Sequence, residues 1–511
     1  MSVDLIRPPL FLPRVLTLAC VLAGAGSTWA NAELVRPSSL RPAAIEANWT
    51  PLRMPNGDKT ALLGGSYLMA VNDEWGFGPS VYGAAQGNYG GLFTFGMTAQ
   101  GRWRLGSNAH VAAGLFAGAG GGVGSREVRF GGGLMLRPEL SLRLQAGDWY
   151  SGLAFSHVRF PSGNISDSSI GLVLGRSSSF ASFSPSDSGK RGRASQRTGL
   201  GFDEIALQGG FATPRAGTRN RSGVPSTQRL GFAGADLRQY IADGSWWGVE
   251  AAGAAQGGAD GYMEVLATAG QDWALGSPRL RLGGQLAAGL AGGGNIDTGS
   301  GWLLRAGPTL RWITPWGVTV RLDGGISKAP QGQFSANFVR LGLALPLDIT
   351  PSVSHGLAQE SGTVRTQQLF ASYQYLPKVR FKDGSQDAIG QLAMVMTREL
   401  SPSVYGVAQA GSAAFGKAGA YAFGLFGLGV QTQPLWASTR VGAEFLAGAA
   451  GGGGVDIGGG ALLQAEAYAQ WEGERLRMRA GLGHWRGMRN SAQSAPMMNL
   501  SVGYAFGSLV R

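Results

Sequence analysis

The sequence predicts an all-β fold: a large antiparallel transmembrane β-barrel of about 22–26 strands, built from three homologous repeats, with three small barrels in a row as the alternative. Three observations carry this reading. Glycine makes up 86 of the 511 residues and charged residues only 14%, against about 25% in soluble domains, while hydrophobic residues hold 44%. Hydrophobicity alternates with a period of two. The same motifs also return three times along the chain.

Other classes fall away on the same arithmetic. No strict Gly-X-Y period runs through the glycines, which excludes a collagen-like chain, and the apolar content is too high for a disordered one. Past the N-terminus, the stretch closest to a membrane-spanning helix is 418–439, and it is broken by Gly, Gln and Pro.

Residues 1–32 read as a signal peptide. Arg7 and Arg14 precede the apolar run VLTLACVLAGAG, and Ala30-Asn31-Ala32 supplies the small-x-small cleavage pattern. The single cysteine, Cys20, lies inside that run; a lipoprotein reading would put an anchor there, and otherwise the mature chain has no thiol chemistry. Export in turn removes nucleic acid as a partner, despite the net charge of +12. Residues 33–60 hold several prolines and little periodicity, and they read as a periplasmic N-terminal tail.

The repeats follow as units 61–176, 204–347 and 367–506. PSVYGAAQG (Pro79–Gly87) returns as PSVYGVAQAG (Pro402–Gly411), with AAGAAQG (Ala251–Gly257) between them. LFAGAGGGVG (Leu115–Gly124) returns as LAAGLAGGGNID (Leu286–Asp297) and FLAGAAGGGGVD (Phe445–Asp456). A long hairpin follows each glycine tract, and each unit ends on an alternating strand: SIGLVLG, FVRLGLALPL and MNLSVGYAF. Segments 177–203 and 348–366 read as polar linkers, and 507–511 as a C-terminal tail. The glycine tracts lack the strand–turn–helix setting of a phosphate cradle and the tandem copies of a calcium repeat, so they read as bends or close backbone approaches. The sequence predicts no cofactor, no metal site and no catalytic residue.

Within the units the alternation sorts side chains onto two faces. Leu476, Met478, Ala480 and Leu482 oppose Arg475, Arg477 and Arg479, and Leu280, Leu282 and Leu286 oppose Arg279 and Arg281. An arginine at the bilayer midplane costs about 2–4 kcal/mol, so the arginine face is expected to point into the lumen. Arg137, Arg143, Arg305, Arg311 and Arg321 join this set. Together these arginines predict an anion-selective lining, unless carboxylates such as Glu139, Asp323 and Glu466 neutralise them.

The last strand alternates Leu500, Val502, Tyr504 and Phe506, five residues before the chain ends. It resembles the C-terminal strand that Gram-negative outer-membrane β-barrels, porins among them, present to the barrel assembly machinery. The resemblance implies an outer-membrane location after signal-peptide cleavage, with membrane lipid, lipopolysaccharide and that machinery as partners. A second, local resemblance covers GLAFSHVRFPSGNISDSSIGLVLG (Gly152–Gly175), which is similar to the end of the lipid A 3-O-deacylase family. That family places a serine two residues after its histidine. Here Arg159 follows His157 and Arg486 follows His484, so the nucleophile of a Ser-His-Glu site is missing at that position. By parity both histidines fall on the apolar, outward face. The expected function is a porin-like or export channel for hydrophilic, anionic solutes or polysaccharides, and not an enzyme. The alternative is a structural or lipopolysaccharide-interacting outer-membrane protein with a plugged lumen, and an interfacial lipid A hydrolase comes third.

Overall fold

The computed structural model describes residues 34–348, 360–489 and 493–510, which form antiparallel strands without an α-helix. The leader expected at 1–32, with Cys20, lies outside the described residues. The first barrel comprises β1 (Ser39–Arg53), β2 (Lys59–Ala70), β3 (Trp75–Gln86), β4 (Phe93–Arg104), β5 (Ala109–Gly121), β6 (Leu134–Ala146), β7 (Trp149–Arg159) and β8 (Ser166–Ser182). A short β9 (Arg191–Ala194) follows. The second barrel comprises β10 (Glu204–Pro214), β11 (Leu230–Ala242), β12 (Ser245–Gln256), β13 (Met263–Ser277), β14 (Leu280–Gly292), β15 (Trp302–Ile313), β16 (Thr319–Lys328) and β17 (Ser335–Pro346). The third comprises β18 (Glu360–Arg380), β19 (Gln386–Ser401), β20 (Val404–Phe415), β21 (Ala422–Gln431), β22 (Thr439–Gly451), β23 (Ala461–Glu472), β24 (Leu476–Gly487) and β25 (Ser494–Val510).

The all-β class, the antiparallel pairing, the three repeats and the strand total agree with the sequence. The closure does not. Instead of one continuous barrel, each repeat closes on itself with eight strands. β8 returns to β1, with Leu172 opposite Trp49, and β17 returns to β10; β18 pairs with both β19 and β25. The reason is the size of the inward side chains. An eight-stranded barrel is just wide enough for side chains to fill. Tyr82, Phe116 and Arg143 fill the first interior, Trp246, Arg238 and Arg321 the second, and Trp485 and Phe370 the third, all essentially without solvent exposure. Inward glycines make room for the rings: a Cβ on Gly64 would lie 2.2 Å from the Tyr82 ring, and one on Gly175 2.2 Å from that of Tyr150.

The segment read as a tail, 33–60, contains β1. Pro42 and Pro51 obscure its alternation, yet both sit in the ladder, opposite Ser179 and Ala61. The linkers and the C-terminal tail are also shorter than their sequence limits: β8 runs to Ser182, β18 starts at Glu360 and β25 reaches Val510. These strand ends stand beyond the alternating apolar belt, so their composition reads as loop.

Outside, the pattern is uniform. Ile170, Leu172 and Leu174 on β8, Val339, Leu341 and Leu343 on β17, and Met498, Leu500 and Val502 on β25 all point outward and are exposed. One end of every barrel carries both termini of its repeat, and we call it the linker end. Exposed tryptophans cluster there, with Trp75, Trp103 and Trp149 on the first barrel, Trp273, Trp312 and Trp316 on the second, and Trp436 and Trp471 on the third.

At the opposite end the glycine tracts lock the barrels into a ring. The β3–β4 turn of the first barrel enters the glycine tract of the second, where a Cβ on Gly91 would lie 2.3 Å from Gly293 N. The β12–β13 turn of the second enters the tract of the third, where a Cβ on Gly451 would lie 2.3 Å from Gly261 N. The β20–β21 turn of the third enters the tract of the first, where a Cβ on Gly121 would lie 2.8 Å from Ala420 N, and a Cβ on Gly419 would lie 2.3 Å from Gly131 O just beyond it. Backbone hydrogen bonds seal two of these contacts, Gly90 N to Gly299 O at 3.0 Å and Gly419 N to Gly131 O at 3.1 Å. Of the two roles expected for the tracts, close backbone approach is therefore met at each of them.

Candidate functional site

Period-two strands aim alternate side chains into each barrel, and the charged residues that sequence reading singled out mostly meet there. In the first barrel Arg143 bonds Glu46 at 2.6 Å and Glu139 at 3.3 Å, while Arg137 bonds Glu139 at 2.6 Å. The Tyr150 hydroxyl donates to Glu46 at 2.6 Å. In the second barrel Arg305 and Arg340 share Glu250 and Glu264, and Arg281 and Arg311 share Asp272. Arg321 pairs with Asp236, and Arg238 lies 3.6 Å over the Trp246 ring, with Asp236 at 3.3 Å. In the third barrel Arg479 pairs with Glu444 and stacks 3.9 Å over Tyr468, and Arg477 reaches Glu472 at 3.6 Å.

Two members of the expected lumen set stand elsewhere. Arg279 lies exposed in the turn between β13 and β14. Arg475, at the turn before β24, swings out of its lumen to bond Tyr504 at 3.3 Å and, on the first barrel, Ser38 at 3.0 Å and Ser182 at 3.2 Å. Turn residues escape the alternation that parity assumes. Sequence reading missed Arg238, Arg340, Glu46, Glu250, Glu264 and Asp272. Glu250 and Arg340 each alternate with apolar neighbours and could have been found by parity; Glu46 was hidden in the segment read as a tail.

The carboxylates matter for what the interiors can do. In the second barrel Arg238, Arg281, Arg305, Arg311, Arg321 and Arg340 are matched by Glu204, Asp236, Glu250, Glu264, Asp272 and Asp323, all buried. Polar cavities remain at the linker end, about 440 Å³ in the first barrel beside Arg102, Arg104 and His110 and about 480 Å³ in the third beside Arg365, Arg477 and Arg479. Ser184, Pro185, Ser186, Ser188 and Gly189 of the first linker line the latter, and Ser188 donates to Glu399 at 2.6 Å. Outside the strands, Asp203 accepts from Arg197 at 2.9 Å; burial pushes its carboxyl up, against the lowering by Arg197.

His157 stands on the outward face, its Nδ1 2.8 Å from Ser168 Oγ and its Nε2 3.3 Å from Ser166 Oγ. His484 repeats the contact with Ser494 at 2.5 Å. In the final strand Leu500 and Val502 face outward, whereas Phe506 is buried with its ring 5.1 Å from Phe180 of the first barrel. Among the described residues no group of three or more His, Cys, Asp or Glu side chains could hold a metal ion.

No protein-family model matches the chain, and no curated protein matches it. Among solved structures, similarity extends to Pseudomonas aeruginosa OccK2 (OpdF) in complex with glucuronate, at 11% identity and a TM-score of 0.23 over 92% of this chain and 99% of that one. The outer-membrane protein opdK of the same organism matches at 9% identity and a TM-score of 0.23, over 92% and 99% of the two chains. A ferric enterobactin receptor (PfeA) matches at 8% identity and a TM-score of 0.28, over 92% and 82%. At these scores the likenesses carry no argument about what this chain does.

Proposed function

We propose that this chain is an outer-membrane protein of three tandem barrels with plugged lumens, a structural element that works through its lipid-facing outer surface. The carrying observation is the two-sided sorting of side chains. Leu, Val, Ile and Met cover the outward faces of corresponding strands, while the charged residues turn inward and neutralise one another. In water an outward belt of this extent is a liability, whereas in hydrocarbon it is the required surface. Exposed tryptophans at the linker end fit a membrane interface. With its short turns, that end fits the periplasmic side, leaving the interlocked glycine end outermost. Membrane lipid, lipopolysaccharide and the barrel assembly machinery are the partners this reading implies.

Conductance tests the plug. Purified protein in a planar bilayer is expected to give no stable open steps, because ion pairs and rings occupy the interiors. A second reading, passage of anionic solutes, is favoured by the arginine-lined cavities at the mouths of the first and third barrels. It requires open steps whose reversal potential moves toward cation selectivity in an Arg477→Glu/Arg479→Glu variant. Recovery of the chain in the inner-membrane or soluble fraction would overturn the location.

A further inference from the structure

Between the barrels lies a cavity of about 320 Å³, walled by their outward faces and not by any lumen. Phe95 comes from the first barrel, Val249 and Val265 from the second, and Met394, Met396 and Phe426 from the third; Leu200 of the first linker closes in near them. The volume is that of a small-molecule pocket, and the lining is almost wholly apolar. Towards the linker end the same outward rows change character. On β19 the residue after Met394 and Met396 in the row is Arg398, and on β18 the residue beyond Leu369 is Gln367, which is the strand partner of Arg398. Arg398 is only 9% exposed, makes no ion pair among the described residues, and its Nε has no hydrogen-bond partner. The Gln367 amide nitrogen donates to Ser508 Oγ at 2.5 Å, so its donor end is already engaged. The nearest carboxylate in sequence, Glu399, is engaged by Arg365 at 3.5 Å and by Ser188.

We propose that this inter-barrel cavity binds one acyl chain whose anionic head group, a carboxylate or a phosphate, is held by Arg398. The inference rests on the membrane reading above. Within a bilayer an apolar void forfeits contacts that hydrocarbon restores. A buried guanidinium that makes no ion pair is costly, and an anion placed against it lowers that cost. The flexible side chains of Met394 and Met396 suit a chain of variable shape. Among the described residues every other buried arginine pairs with a carboxylate, so Arg398 is where an outside anion completes the structure.

The test uses the full chain in phosphatidylcholine nanodiscs with a palmitate bearing a diazirine at its tail, and cross-links are mapped by peptide mass spectrometry. Label is expected on Met394 or Met396, displaced by palmitate or by dipalmitoyl phosphatidate but not by hexadecanol. The stronger of the two displacing competitors identifies the head group. Arg398→Gln should cut the labelling at least ten-fold and Arg398→Lys should restore most of it; Ala408→Trp, which fills the cavity, should abolish it. Label confined to the outer belt around Leu500, or labelling indifferent to Arg398→Gln, overturns the proposal while leaving the membrane reading intact. A chain that does not enter nanodiscs overturns the membrane reading, and this inference with it.

Discussion

Inside the barrels a single residue decides whether charge is tolerated. Arg143 sits in a buried network with Glu46, Glu139 and Gln100, in which Tyr150 also donates to Glu46. Removing one partner leaves a buried charge uncompensated, so Arg143→Ala is expected to cost about 3–5 kcal/mol, measured by urea unfolding of the reconstituted protein. Glu250→Gln should behave in the same way, because Arg305 and Arg340 both depend on that carboxylate. The glycine interlock offers a change of opposite sign. Ala420 occupies the place in its turn that Gly91 and Gly261 hold in theirs, with φ at 79° against 94° and 91°. A left-handed alanine is strained, so Ala420→Gly should stabilise by about 1 kcal/mol, read from the unfolding midpoint. At Gly91 the reverse change puts a Cβ 2.3 Å from backbone and should loosen the joint between the first two barrels.

At the scale of the strand, the outward face separates two environments. Leu172, Leu341 and Leu500 hold corresponding positions on β8, β17 and β25, and each is more than half exposed. On a soluble protein an exposed Leu→Arg change is nearly neutral, within about 0.5 kcal/mol. On a lipid-facing strand it costs about 2–4 kcal/mol near the midplane. Unfolding of Leu341→Arg from bilayers should show the larger loss; a neutral result would contradict the membrane reading. The same strands explain what parity can and cannot find. Alternation placed Arg281, Arg305, Arg311 and Arg321 on the inward face, but it failed at Arg279 and Arg475, where the strand has already turned.

For the whole molecule, self-closure gives each barrel its own complete set of strand pairings, while the interlocks make the three a ring. Every repeat offers a turn to the next barrel and a glycine tract to the previous one, so the contacts are head-to-tail and close after three. The segment 204–347 alone is therefore expected to fold in detergent and to migrate as a compact, heat-modifiable band. It should melt below the full chain, because its turn at 257–262 and its tract at 293–301 then lack partners. Failure of this segment to form a heat-modifiable species would mean that the ring contacts, and not self-closure, supply most of the stability.

The sequence by itself determined the β class, the antiparallel strands, the number of repeats and the split between apolar and charged faces. These follow from period-two alternation and from self-similarity, both local properties of the chain. Which strands meet was a tertiary matter. The first strand of each repeat can in principle pair with the last strand of its own unit or with a neighbouring unit, and local alternation is the same in both cases. The choice rests on how much side chain must fit inside, visible only once Tyr82, Trp246 and Trp485 are seen filling interiors eight strands round. The ion pairs were hidden for the same reason: Glu46 and Arg143 are 97 residues apart, and only closure of β1 onto β8 brings them together. The role of the glycine tracts needed the neighbouring barrel as well, because a close approach between two backbones is a property of neither alone.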